Sequence, residues 1–174
     1  FDAILLFTPI YLANELKMPD ALVGVHVALL TALGTLALPF LGTLSDKFGR
    51  KAVLLPGLVA MALLSVALVS VGSGIGLSLV IAAMGIFFYS LNQVLRAAVL
   101  DLAPKGAEAT SYGLTFGSTQ AIAAVSPLIA GFFKDWLGIE FVFYYAAAVI
   151  ALAALVLFAM PLRTDGKQLL AHLR

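Results

Sequence analysis

Six apolar runs, most of them near the roughly 20 residues that a helix needs to cross about 30 Å of hydrocarbon, dominate this chain. They fall at residues 1–15, 22–44, 52–71, 75–100, 110–133 and 141–162, and the short first run reads as a span that the sequence enters part-way. A bilayer offers no hydrogen-bond partner to the backbone, so runs of this length predict helices; the strands of a membrane barrel are shorter and alternate in polarity. The breaks between runs carry turn residues: Pro19, the charged stretch from Ser45 to Lys51, the Gly72–Gly74 triplet, Pro104 and Gly138. The expected fold is all-α and membrane-integral, one six-helix bundle over residues 1–174.

Composition agrees. The chain is 63% hydrophobic and 11% charged, against roughly 45–50% and about 25% in soluble domains, so lipid is its expected solvent. It has no cysteine and a net charge of +1, which gives no reason to expect a thiolate metal site, a disulfide or nucleic acid as partner. There is no HExxH metal site and no P-loop, and nothing in the residues calls for a cofactor or forms a nucleophile–base constellation, so an enzyme is disfavoured. His26 reads as a packed histidine, and His172 lies in the tail.

The cations set an expected orientation. With six spans the two ends share a side, and that side holds Lys47, Arg50, Lys51, Lys105, Arg163, Lys167 and Arg174, against Lys17 and Lys134 opposite. This bias predicts a multi-pass protein of the cell membrane with both ends and the Gly42–Lys51 stretch in the cytoplasm.

The ten residues Gly42–Lys51, GTLSDKFGRK, pack one acid, two glycines and three cations between the second and third runs. The stretch resembles the signature loop of the major facilitator superfamily, a G-x-L-[SA]-D-[RK]-x-G-R-[KR] pattern between the second and third helices of a six-helix half. Two further stretches are similar to the same family. Leu100–Leu114 (LDLAPKGAEATSYGL) has an acid at the end of the fourth run, then a proline and a small-residue fifth run. Ser126–Gly138 (SPLIAGFFKDWLG) looks like the family's ending of the fifth helix, with Ser126 in place of a glycine. The resemblance implies a secondary transporter with twelve helices in two halves, moving a small-molecule substrate through a cavity between them by alternating access. This chain would supply one half and need a second, from the same polypeptide or another copy. The uncharged start of the fourth run and the short tail after Arg163 favour the C-terminal half. The alternative is a non-transporting six-helix scaffold or sensor.

Site residues follow from both sources. Gly42 and Gly49 are expected to permit close approach and tight turning, and Asp46 to lie near helix N-terminal amides. The resemblance gives Asp46, Arg50 and Lys51 a gating role at the cytoplasmic edge, where charges would bind the two halves together. Arg96, near the end of the fourth run, has competing readings: pairing with Asp101 or Asp46 to extend that charge network, contact with an anionic substrate group, or simple snorkelling to the interface. Ser78, Ala82, Gly85, Tyr89, Asn92, Gln93 and Arg96 recur every three or four residues and share one helix face. Polar groups avoid lipid, so Tyr89, Asn92 and Gln93 are candidates for lining a cavity or bonding to another helix; Tyr11, Asn14 and Gln120 join them as weaker candidates. Gly113, Gly117 and Ala121 give the fifth run a smooth side for close helix packing, where the resemblance implies contact with the other half.

Overall fold

A computed structural model describes residues 2–160, and Arg163, Lys167, His172 and Arg174 lie outside them. The described residues form α1 (Asp2–Asn14), α2 (Asp20–Phe48), α3 (Arg50–Ser70), α4 (Ile75–Leu102), α5 (Glu108–Leu137) and α6 (Glu140–Ala159). The last five are long and apolar enough to cross a membrane, whereas α1 is a shorter apolar helix of 13 residues.

The charged stretch expected as a turn is largely helical. α2 continues through Asp46 to Phe48 and α3 begins at Arg50, so Gly49 alone breaks the backbone. Hydropathy marks where a chain leaves hydrocarbon, not where its backbone hydrogen bonds stop. The 29 residues of α2 rise about 44 Å at 1.5 Å each, well beyond about 30 Å of hydrocarbon. The Gly49 N–H closes the last bond of α2 on the Ser45 carbonyl at 2.9 Å, and Gly49 then turns at φ 95°, ψ 150°, a conformation that a side chain strongly disfavours.

α4 is the centre of the bundle. One face lies against α2, where Gly85 touches the backbone of Leu30 so closely that an added Cβ would overlap the Leu30 carbonyl oxygen and sit 2.8 Å from its carbon. Gly34 of α2 returns the contact: a Cβ there would run into the Tyr89 ring and lie 2.7 Å from the Gly85 oxygen. On another face, Gly57 of α3 admits the Leu91 side chain, 2.5 Å from where a Cβ would stand. Small residues let helix backbones meet without a hydrophobic driving force, the packing mode that lipid favours. Around these contacts Ile81, Met84, Phe88 and Leu91 of α4 pack in one core with Met61 and Leu68 of α3, Ile4 and Phe7 of α1, and Val142 and Phe143 of α6.

His26 adds a polar tie between α2 and α4 near their first turns. Its Nδ1 lies 2.8 Å from the Leu22 carbonyl and its Nε2 lies 3.0 Å from the Ser78 hydroxyl. A carbonyl can only accept, so Nδ1 carries a proton, and in the neutral ring Nε2 accepts from Ser78. His26 is buried, as a packed histidine.

α5 stands apart. Ala130 is its one buried residue, and added Cβ atoms at Gly113 and Gly117 would meet nothing within 4 Å. The smooth side formed with Ala121, also exposed, therefore packs against no helix among the described residues. Close glycine packing occurs instead at Gly34, Gly57 and Gly85.

Candidate functional site

Arg50 organises one end of the bundle. As the first residue of α3, directly after the Gly49 turn, its guanidinium reaches back to α2 and across to α4. Nη1 donates to Asp46 Oδ1 at 2.5 Å and to Ser45 Oγ at 3.1 Å, while Nε donates to Asp101 Oδ2 at 2.8 Å. One planar cation thus joins three helices through two carboxylates, geometry that an ammonium cannot supply. Ser45 is buried, but the Asp46 and Asp101 side chains are 65% and 56% exposed, so the bonds sit at a wet edge. Asp46 is thus held by the Arg50 side chain, in the last turn of α2, and not by amides at a helix start.

Lys51 has a different partner. Its Nζ donates to the carbonyls of Met160 at 2.6 Å and Phe158 at 3.0 Å, which lie at the end of α6. The last carbonyls of a helix lack intrahelical partners and carry partial negative charge, so a cation there satisfies both. Nothing local in the sequence signals this link, since 107 and 109 positions separate the residues. Gly42, expected to permit close approach, lies within α2 with open space where a Cβ would be.

Arg96 does not join the Arg50 network. Its Nη1 donates to the Tyr112 hydroxyl at 3.1 Å and its guanidinium lies 5.4 Å from the centre of the Phe116 ring, both on α5. The reason is helical phase. Arg96 and Asp101 are five positions apart, about 140° around the helix at 3.6 residues per turn, so they leave α4 on different sides. Arg96 and Asn92 line a cleft of about 50 Å³ with Tyr112, Thr115, Phe116 and Thr119.

The other polar candidates separate. Asn92 donates to the Phe88 carbonyl of its own helix at 2.9 Å, and Gln93 is exposed beside it. Tyr89 packs over Gly34, with its ring 5.1 Å from that of Phe88, so it serves the α2–α4 contact. Tyr11 is buried in the core, its ring edge-on to Phe143 at 5.3 Å, and lines no cavity among the described residues. A tyrosine flanked by apolar residues on a short helix packs as readily as it lines a cavity, and sequence alone does not separate the two. Asn14 and Gln120 are exposed.

Comparison with known proteins places this chain in a family. The family model described as Major Facilitator Superfamily matches residues 1–172. The chain belongs to the major facilitator superfamily. It is 30% identical over 167 residues to the multidrug resistance protein MdtG of Proteus mirabilis, covering 90% of this chain and 40% of that protein. It is 32% identical over 123 residues to an uncharacterized MFS-type transporter of Methanocaldococcus jannaschii, covering 71% of this chain and 30% of that protein. The chain thus spans less than half the length of both relatives. As a facilitator-family chain it is a membrane protein, and it exposes large apolar side chains, Phe40, Leu63, Leu128 and Leu155 among them.

Proposed function

We propose that this chain is one six-helix half of a secondary transporter that carries a small solute by alternating access, partnered by a second half. The Arg50 cluster carries the reading. It gathers Asp46, the Gly49 turn and Asp101 at one end of three helices, where a small change in charge would be felt by α2, α3 and α4 together. With the Gly49 end in the cytoplasm, as the cation bias supports, the cluster forms the edge that holds the two halves closed when the cavity faces outward. The exposed Gly113, Gly117 and Ala121 side of α5 suits contact with the second half, and Asn92, Gln93 and Gln120 are its candidate wall residues. Likeness to a multidrug resistance protein makes amphipathic, drug-sized solutes the first class to test. The family points to transport in place of catalysis.

Two measurements test this. Asp46→Asn removes one carboxylate from Arg50 and is expected to lower transport several-fold while leaving insertion intact, because one exposed acid hardly alters partitioning. Unchanged flux from that variant would reduce the cluster to a topology signal. For orientation, a cysteine at Lys51 should react with an impermeant thiol reagent only from the cytoplasmic side and one at Ser73 only from outside; the opposite labelling pattern reverses the assignment.

A further inference from the structure

The cleft between α4 and α5 has an unusual charge balance. Both ion pairs among the described residues belong to Arg50, so the Arg96 guanidinium has no carboxylate beside it. Arg96 lies exposed in the last two turns of α4, where an anion from outside the chain can reach it. Arg96 is nonetheless held in place: the Tyr112 hydroxyl fixes one nitrogen at 3.1 Å and the Phe116 ring lies 5.4 Å beneath the guanidinium. Three residues that line this cleft keep donors to spare. Arg96 has five N–H groups and spends one on Tyr112; Tyr112 accepts that bond, which leaves its own O–H to donate; Asn92 uses one of its two N–H groups on Phe88. The Thr115 and Thr119 hydroxyls donate to carbonyls of their own helix, and Leu95, Val99 and Phe116 give the rest of the lining an apolar character. The cleft is open and holds about 50 Å³, room for a small polar group against Arg96 and Tyr112.

We propose that this cleft is an oxyanion site, in which Arg96, Tyr112 and Asn92 bind a phosphate or carboxylate group. The group belongs either to a free anionic solute or to the headgroup of an anionic lipid, and the chemistry recognised is the same. The site stands on its own geometry; only its place on a solute's path rests on the transport reading.

The test uses the purified protein in phosphatidylcholine nanodiscs, with the thermal unfolding midpoint as readout and chloride at matched ionic strength as baseline. Inorganic phosphate is titrated in one arm, and phosphatidylglycerol is mixed into the discs in the other. A saturable rise in midpoint with phosphate assigns the site to free anions, and a rise with phosphatidylglycerol alone assigns it to lipid. In either case Arg96→Gln should weaken the effect about tenfold or more, as loss of a charge-assisted pair does. Tyr112→Phe should weaken it a few-fold, and Lys105→Gln, at an exposed cation in the connection between α4 and α5, should leave it unchanged. Arg96→Lys guards against a variant that fails to fold: it keeps the charge, loses the fork, and should fall between wild type and Gln. No rise in either arm, or an equal rise in Arg96→Gln, overturns the proposal. Solute flux that remains sensitive to Asp46→Asn in that event would leave the transport reading standing and remove only the anion site.

Discussion

Gly85→Ala is expected to destabilise the bundle by about 1–3 kcal/mol or more, the range for overpacking a tight contact, although it adds a single methyl group. The atom in its way is the Leu30 carbonyl oxygen, part of the α2 backbone, which cannot rotate aside as a side chain would. α2 and α4 must separate, and with them the His26–Ser78 bond and the Gly34 contact. Gly113→Ala makes the opposite case. Its Cβ meets nothing within 4 Å, so the change should stay within about 0.5 kcal/mol of wild type. Thermal unfolding of both variants in one detergent is the comparison to make. Equal midpoints for Gly85→Ala and wild type would mean that the two helices are not in backbone contact.

Arg50→Gln should abolish most transport while changing stability little, and the disparity is the informative part. Ion pairs with exposed partners contribute about 0.2–1 kcal/mol each, and both carboxylates here are more than half exposed. Loss of the two bonds therefore leaves the fold standing. A device that holds one conformation over another needs only a few kcal/mol of bias, so the same loss redistributes the two access states. We expect flux to fall at least tenfold with the unfolding midpoint within a few degrees of wild type. Arg50→Lys should rescue only partly, because a point charge cannot hold Asp46 and Asp101 at once in the planar fork. A large drop in midpoint accompanying the loss of flux would make Arg50 a structural residue and remove the gate from the account.

The helices themselves were legible, because lipid imposes long uninterrupted apolar runs and α2 to α6 all contain one. Their ends were less so: Asp46 and Lys47 are polar enough to look like a loop, yet nothing before Gly49 breaks the backbone. The Asp46–Arg50 pair, four positions apart, follows the spacing of helical neighbours even though it spans a turn. The separation of Arg96 from Asp101 was also readable, from helical phase alone. The glycine contacts were not. This chain has 15 glycines, and spacing on one helix picks out Gly113 and Gly117 as readily as Gly85. Which glycine meets a neighbour depends on how helices 34 to 55 positions apart are aligned, and that lies in the tertiary packing. The same holds for the Lys51 contact with the end of α6.

That last contact has a consequence for biogenesis. Lys51 emerges from the ribosome 107 residues before Phe158, and at about 5–20 residues per second roughly 5–20 s pass before the carbonyls that receive it exist. Through that interval the start of α3 holds a cation whose final acceptors have yet to be made. The bond that closes α6 onto α3 is thus a late event, and a chain interrupted before Phe158 lacks the means to complete it.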